Sequence, residues 1–322
     1  MSAIGRLRIS PSDIGRRVTV RHLAGDDLTD VLGHLVSWIG DWPTGVIGVR
    51  KKDDSIQEVV TGKIFAAKVI EPEIGSLDLE RDSESTWVPN EKEGLGDWVL
   101  RFSGNESARA NSCRLDGRPQ DSVDESLKKI IDWYKSKKAA AIVQSPKPGA
   151  FDEALKKNNF LEVAHALYMI APSIKSENND VIMEKELTTK WFDAVMASDA
   201  KAPRLSKELL VSGSFVRFAS IQDDENKIIA TGRVSASPDL AMVTTVWVQD
   251  SYRGKGLAKK IMNALSNEVY KIGHKQIVLQ VLKSNVAAVS LYQSLGYEIH
   301  HNYAYYRHTK AEIPKKLSAN AI

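Results

Sequence analysis

Residues 246–258 read Val246-Trp247-Val248-Gln249-Asp250-Ser251-Tyr252-Arg253-Gly254-Lys255-Gly256-Leu257-Ala258. The valine-ended start suits a strand. The glycines force a tight turn, and Leu257, Ile261, Ala264, Leu265 and Val269 then recur on one face of a helix expected over Gly256–Ile272. The first turn of a helix leaves amide N–H groups without internal partners at the positive end of its dipole, so such a corner cradles an anion. Gly254 and Gly256 let a phosphate approach the backbone, and Arg253 and Lys255 place charge at the rim. The spacing is neither that of a G-x-x-x-x-G-K-[ST] phosphate loop nor that of a G-x-G-x-x-G dinucleotide loop with its downstream acid.

Working outward, the pattern predicts strand Gln276–Leu282 after the helix, then helix Val286–Leu295 and strand Tyr297–Arg307. The second helix reads Ser284-Asn285-Val286-Ala287-Ala288-Val289-Ser290-Leu291-Tyr292-Gln293-Ser294-Leu295-Gly296-Tyr297. Asn285 sits where a helix cap belongs, and Gly296 sits where a left-handed residue closes the helix. Before residue 246, a helix near Thr189–Ser198 and three strands are expected: Ser212–Ile221, Lys227–Ser235 and Ala241–Val248. Turn-forming residues Asp223–Asn226 and Pro238-Asp239 join the strands into an antiparallel meander.

The R-x-x-G-x-A of Arg253–Ala258 and the N-x-x-A-x-x-L-Y-x-x-x-G-[FY] of Asn285–Tyr297 resemble motifs A and B of the GNAT N-acetyltransferase superfamily, in order and one helix and one strand apart. The resemblance implies an α+β fold, with a central mixed, mostly antiparallel sheet and flanking helices. It implies that acetyl-CoA is the co-substrate, with no metal, and that acetyl passes to a primary amine by direct attack. Backbone groups of Val246, Trp247 and Val248 would pair with the pantetheine arm. Amides of Arg253, Gly254, Lys255, Gly256, Leu257 and Ala258 would hold the pyrophosphate, and Asn285 would contact the cofactor. Tyr292 would be the general acid, since a departing thiolate needs a proton and a phenol can supply it. A non-catalytic acyl-CoA-binding or partner-binding protein on the same scaffold is the alternative. The acceptor is not legible: protein lysine, N-terminus, antibiotic and small metabolite all fit. Nor is a general base, because Ala241–Val246 carries no carboxylate, and Thr244 or Thr245 offers only a hydroxyl to hold a water.

An earlier stretch repeats part of this design. Strand Asp97–Phe102, helix Ser122–Lys135, strand Ala139–Gln144, helix Phe151–Asn158 and strand Phe160–Ile170 form an α/β unit. When Phe160 is laid on Tyr297, Asn159 falls on Gly296 and Leu155 on Tyr292, so the helix end is kept and the acid is lost. The organisation expected is an SH3-like small β-barrel at 1–72, an acidic linker at 73–96 and a degenerate GNAT-like unit at 97–175. A catalytic GNAT domain at 180–309 and a flexible tail at 310–322 complete it. This resembles bacterial proteins that join an SH3-like domain to a two-part GNAT region. Strands around Arg17–His22, Gly45–Arg50 and Ile56–Val60, with turns between them, carry the first assignment. Trp87 and Trp98 suggest that parts of the linker and its margin are pinned to a domain.

Composition bounds the rest. The 322 residues are 43% hydrophobic and 26% charged, with a formal net charge of +3, too small for a dedicated nucleic-acid binder. A lone cysteine, Cys113, excludes an internal disulfide and a multi-cysteine metal site and suits a reducing cytoplasm. No apolar run approaches the roughly 18 residues of a membrane span, and the start lacks the apolar core of a secretory signal. Strand alternation places His300 and His301 on opposite faces. Tyr303, Tyr305 and Tyr306 suit either a pocket wall or a solvated strand end. Oligomeric state is not readable.

Overall fold

The computed structural model describes residues 7–14, 17–51, 53, 55–69, 76–104, 107–147, 149–176, 180–197 and 205–309; the tail expected at 310–322 lies outside them. The chain divides into two units, Met1–Gly75 and Ser76–Ile322.

In the first unit the alternation of apolar residues builds strands β1 (Leu7–Arg8), β2 (Arg17–Ala24), β3 (Asp27–Ile39), β4 (Val46–Arg50), β5 (Ile56–Val60) and β6 (Ile64–Val69). They form one sheet in the order β1-β6-β2-β3-β4-β5, antiparallel except for β1 against β6. Val18, Val20, Val31, Leu35, Ile47, Val49 and Ile64 gather in a single core. The small all-β unit is therefore present. Its ladder is open among the described residues, with β1 and β5 as edges, so hydrogen bonding does not close the barrel expected for this segment.

The second unit runs α1 (Ser76–Ser83), β7 (Glu91–Leu95), β8 (Trp98–Phe102), β9 (Cys113–Arg114), α2 (Val123–Ser136), β10 (Ile142–Lys147), α3 (Asp152–Lys157) and β11 (Phe160–Pro172). It continues through β12 (Ile182–Glu184), α4 (Thr189–Ala197), α5 (Lys207–Val211), β13 (Phe215–Gln222), β14 (Ile228–Ala236) and β15 (Ala241–Val248). It ends with α6 (Leu257–Lys271), β16 (Gln276–Leu282), α7 (Val286–Ser294) and β17 (Glu298–His308). Eleven strands make one sheet in the order β12-β13-β14-β15-β16-β11-β17-β10-β9-β8-β7.

The centre of this order interleaves the two α/β stretches. β11, which closes the first, lies against β16 with Ala166–Pro172 opposite Leu282–Gln276. β17, which closes the second, lies between β11 and β10. Each stretch lends its last strand to the other, and neither is left with an exposed edge in the middle of the sheet. The tyrosines of β17 are accordingly buried, Tyr303, Tyr305 and Tyr306 alike, rather than forming a solvated strand end.

The expected linker at 73–96 is corrected by α1 and β7, both of which fall within it. Its acidity reads as solvation in sequence, yet Glu80 and Glu84 are turned inward and paired, while Asp78, Glu91 and Glu93 stay exposed. Arg114 bonds Glu84 at 2.7 Å and Asp116 at 2.6 Å, while Leu79, Glu80 and Ser83 are buried from α1.

Helix α6 packs Ile261, Met262, Leu265 and Val269 into the main core with Leu279, Val281 and Tyr292. Gly232 of β14 permits this approach, because a Cβ there would stand 2.4 Å from Ile261 Cγ2 and 2.9 Å from Leu265 Cδ1.

Candidate active site

Strands β15 and β16 are parallel neighbours for only two rungs, Met242–Val278 and Val243–Leu279, and then part. The cause lies in β15. Its pairing with β14 steps from Arg233–Thr244 to Thr231–Trp247, so two residues oppose one, and Thr245 adopts φ 53°. A positive φ is costly for a β-branched residue, and such bulges turn a strand away from its neighbour. Beyond the bulge Val246 and Val248 pack toward the α6 core. Peptide groups along a strand alternate in direction, so some of those between Thr244 and Val248 face the side that β16 has left.

After β15, Asp250–Tyr252 forms a short 3-10 turn, and Gly256 is the N-cap of α6 at φ 76°. The amides of Tyr252 and Arg253 bond back to Gln249 and Asp250. Those of Gly254 through Lys259 meet no acceptor among the described residues; the next amide in the chain, that of Lys260, bonds Gly256 at 3.1 Å. Gly254 has φ 77°, and a Cβ at either glycine would meet nothing within 4 Å. Arg253 and Lys255 flank this bare loop. Arg253 is paired with Asp250 at 2.8 Å, and the Lys255 ammonium lies 4.8 Å from the Tyr252 ring. The corner thus meets the geometric requirement for an anion: open donors, room beside the backbone and cations at the rim.

Asn285 caps α7, its Oδ1 accepting from the Ala288 amide at 3.3 Å. Tyr292 projects from α7 into the core beside Tyr297, with ring centroids 5.9 Å apart. Its hydroxyl has no hydrogen-bond partner among the described residues, and burial pushes its pKa up to about 12. Thr244 accepts from Arg233 at 3.2 Å, whereas the Thr245 hydroxyl is buried without a partner among the described residues. The sequence-predicted positions therefore fall on the end of β15, the corner leading into α6, and α7 with its cap.

On the opposite face from α6, sequence reasoning missed a polar cluster. Glu80 of α1 accepts from Gln144 at 2.7 Å and Gln280 at 3.1 Å, and its other oxygen lies 3.1 Å from His301 Nε2. Tyr168 stacks on His301 at 4.7 Å. The expected opposition of His300 and His301 is corrected here. β17 carries an extra residue opposite the Tyr168–Met169 step, which brings the two Nδ1 atoms to 2.9 Å. No periodicity signals such a bulge. Arg109 and Arg233 are buried on the same face, and only their spatial partners reveal them.

The fold is that of the GNAT N-acetyltransferases. A GCN5-related N-acetyltransferase from Kribbella flavida superposes with a TM-score of 0.57 at 13% identity, over 73% of this chain and 96% of that one. Residues 76–306 match the family described as probable histone acetyltransferase Rv0428c C-terminal, and the chain belongs to that family. Among curated relatives, the N-acetyltransferase YobR of Bacillus subtilis, itself uncharacterised, is 24% identical over 231 residues, spanning 68% of this chain and 93% of YobR. A spermine/spermidine N(1)-acetyltransferase of the same organism is 32% identical over 127 residues, 36% of this chain and 76% of its own.

Proposed function

We propose that the protein transfers acetyl from acetyl-CoA to a primary amine by direct attack, with the parted strands β15 and β16 as the thioester channel. The observation that carries this reading is the run of amides from Gly254 to Lys259 without acceptors among the described residues, at the end of a strand whose neighbour has departed. Acetyl-CoA supplies an activated thioester; the chain supplies position and protons. Backbone groups of Val246, Trp247 and Val248 hold the pantetheine arm as an added strand would. Amides from Arg253 to Ala258 hold the pyrophosphate, and Arg253 and Lys255 add charge. Asn285 fixes the start of α7 and so sets the height of Tyr292, through which it acts on the cofactor.

Tyr292 donates its proton to the departing sulfur. The phenol is protonated at neutral pH, and its hydroxyl has no competing hydrogen-bond partner among the described residues, so it is available to a departing thiolate. Holding amine and thioester together does much of the remaining work. The amine loses its proton to water held near Thr244 and Thr245, since β15 has no carboxylate. The polyamine named for the Bacillus relative is one acceptor of the right chemistry, and a protein amine is another. Release of coenzyme A thiol, followed against a panel of amines, tests the reading; amine-dependent release supports it, and none with any amine removes it.

A further inference from the structure

Two buried guanidiniums lie over the ring of Trp87. Arg233 Cζ lies 5.0 Å from its ring centroid and Arg109 Cζ 5.7 Å. Arg233 is 0% exposed and Arg109 6%. Neither pairs with a carboxylate among the described residues.

The two differ in how their donors are used. Arg233 is anchored by neutral oxygens: Leu210 O at 2.6 Å, Ser212 O at 2.6 Å, Thr86 O at 3.2 Å and Thr244 Oγ1 at 3.2 Å. Burial, with the charge of Arg109 second, pushes its pKa down to about 9, so it stays charged at neutral pH. Arg109 has almost no anchor. Among the described residues its Nη1 reaches only the Met242 thioether, at 3.5 Å, a weak acceptor, and its Nε is buried with no partner. A guanidinium carries five donors in a planar fork matched to a carboxylate, and taking one out of water without a counter-charge is costly.

Its place gives the cost a purpose. Met242 forms the first rung of the β15–β16 pairing, and the strands part beyond the next, Val243–Leu279. Met242 and Thr244 share one face of β15, so both guanidiniums stand beside the opening, on the face away from α6. Glu80, on the same face, is committed to Gln144, Gln280 and His301. We propose that Arg109 binds a carboxylate carried by the acetyl acceptor, so that the acceptor is an amino acid or similar anionic amine rather than a polycation. This rests on the acetyl-transfer reading for the acceptor's role, but the anion site itself does not. One free guanidinium, with Arg233 already tied to oxygens, matches a singly charged group, and a polyamine would meet like charge.

The test is calorimetry on the full chain, with coenzyme A saturating. The probes are glycine, β-alanine and γ-aminobutyrate against methylamine, ethylamine and propylamine, with phosphoethanolamine as a separate oxyanion arm. The wild type should bind at least one amino acid more tightly than its decarboxylated partner. Arg109→Gln, with its fold checked by thermal melting, should weaken that binding at least tenfold and leave the plain amines unchanged; Arg109→Lys should recover part of it. Equal binding of amino acids and amines by the wild type overturns the proposal without any variant. So does unchanged amino-acid binding in folded Arg109→Gln, or a preference for phosphoethanolamine over every amino acid. Amino acids that bind through Arg109 yet are never acetylated would leave the anion site standing and remove the acetyl-transfer reading instead.

Discussion

Leu155 of α3 and Tyr292 of α7 each stand four residues before the left-handed residue that ends their helix: Asn159 at φ 59° and Gly296 at φ 85°. The two ends share two backbone bonds, and α7 adds a third from Tyr297 N to Tyr292 O. Asn158 N donates to Ala154 O as Leu295 N does to Leu291 O, and Asn159 N donates to Lys156 O as Gly296 N does to Gln293 O. Leu155 fills the core of β8, β10 and α2, while Tyr292 faces the core beside the parted strands. Tyr292→Phe keeps the ring and removes the donor, so turnover should fall about 10²–10⁴-fold while cofactor affinity holds. Leu155→Ala should cost about 2–5 kcal/mol of stability and leave the chemical step of folded protein intact. Single-turnover rates and denaturant melts on both variants check this contrast.

Gly232→Ala should destabilise the protein by about 1–3 kcal/mol, because the new methyl would overlap Ile261 and Leu265 of α6. Because α6 carries the corner proposed to bind phosphate, acetyl-CoA affinity should fall with stability. A denaturant titration paired with calorimetry reads both, and an unperturbed melt would contradict the close packing of α6 on β14.

Much of this region was legible because helix and strand ends announce themselves. β15 and β16 fall on the predicted residues, and α6 and α7 lie within a residue of them. What sequence could not show was the exchange of β11 and β17, since each strand has the same apolar alternation whichever neighbour it takes. The bulges at Thr245 and His300 were equally silent, because one extra residue leaves composition unchanged. Glu80 lies in the stretch read as an acidic linker and Arg109 carries no sequence signal, and only their partners mark them as interior. The short α5 and the two-residue β9 fell below any periodic signal.

Cys113 should resist thiol reagents in the native state. It is fully buried in β9, and burial pushes its pKa up to about 12. The native state therefore keeps a proton that the unfolded chain begins to lose near pH 9, so stability falls as pH rises from about 9 toward 12, by up to about 4 kcal/mol from this group. Tyr292 adds a drain of the same sign between about 10 and 12. Labelling with a chromogenic disulfide should be slow at pH 8 and complete on unfolding. Fast labelling of native protein would contradict the burial.

Removal of residues 1–75, the first unit, should leave acetyl-CoA binding intact, because every proposed contact lies beyond Ser76. Loss of binding in a folded truncated chain would place part of the site in the N-terminal sheet.

The most direct measurement is equilibrium binding of acetyl-CoA to the wild type and to Gly256→Glu. A side chain at Gly256 meets open space, so the variant should fold, at a cost of about 1–2 kcal/mol for the left-handed backbone. Its carboxylate would stand among the amides assigned to the pyrophosphate. Calorimetry should show binding by the wild type and none by the folded variant. Equal affinity in both would contradict the assignment of this corner to acetyl-CoA.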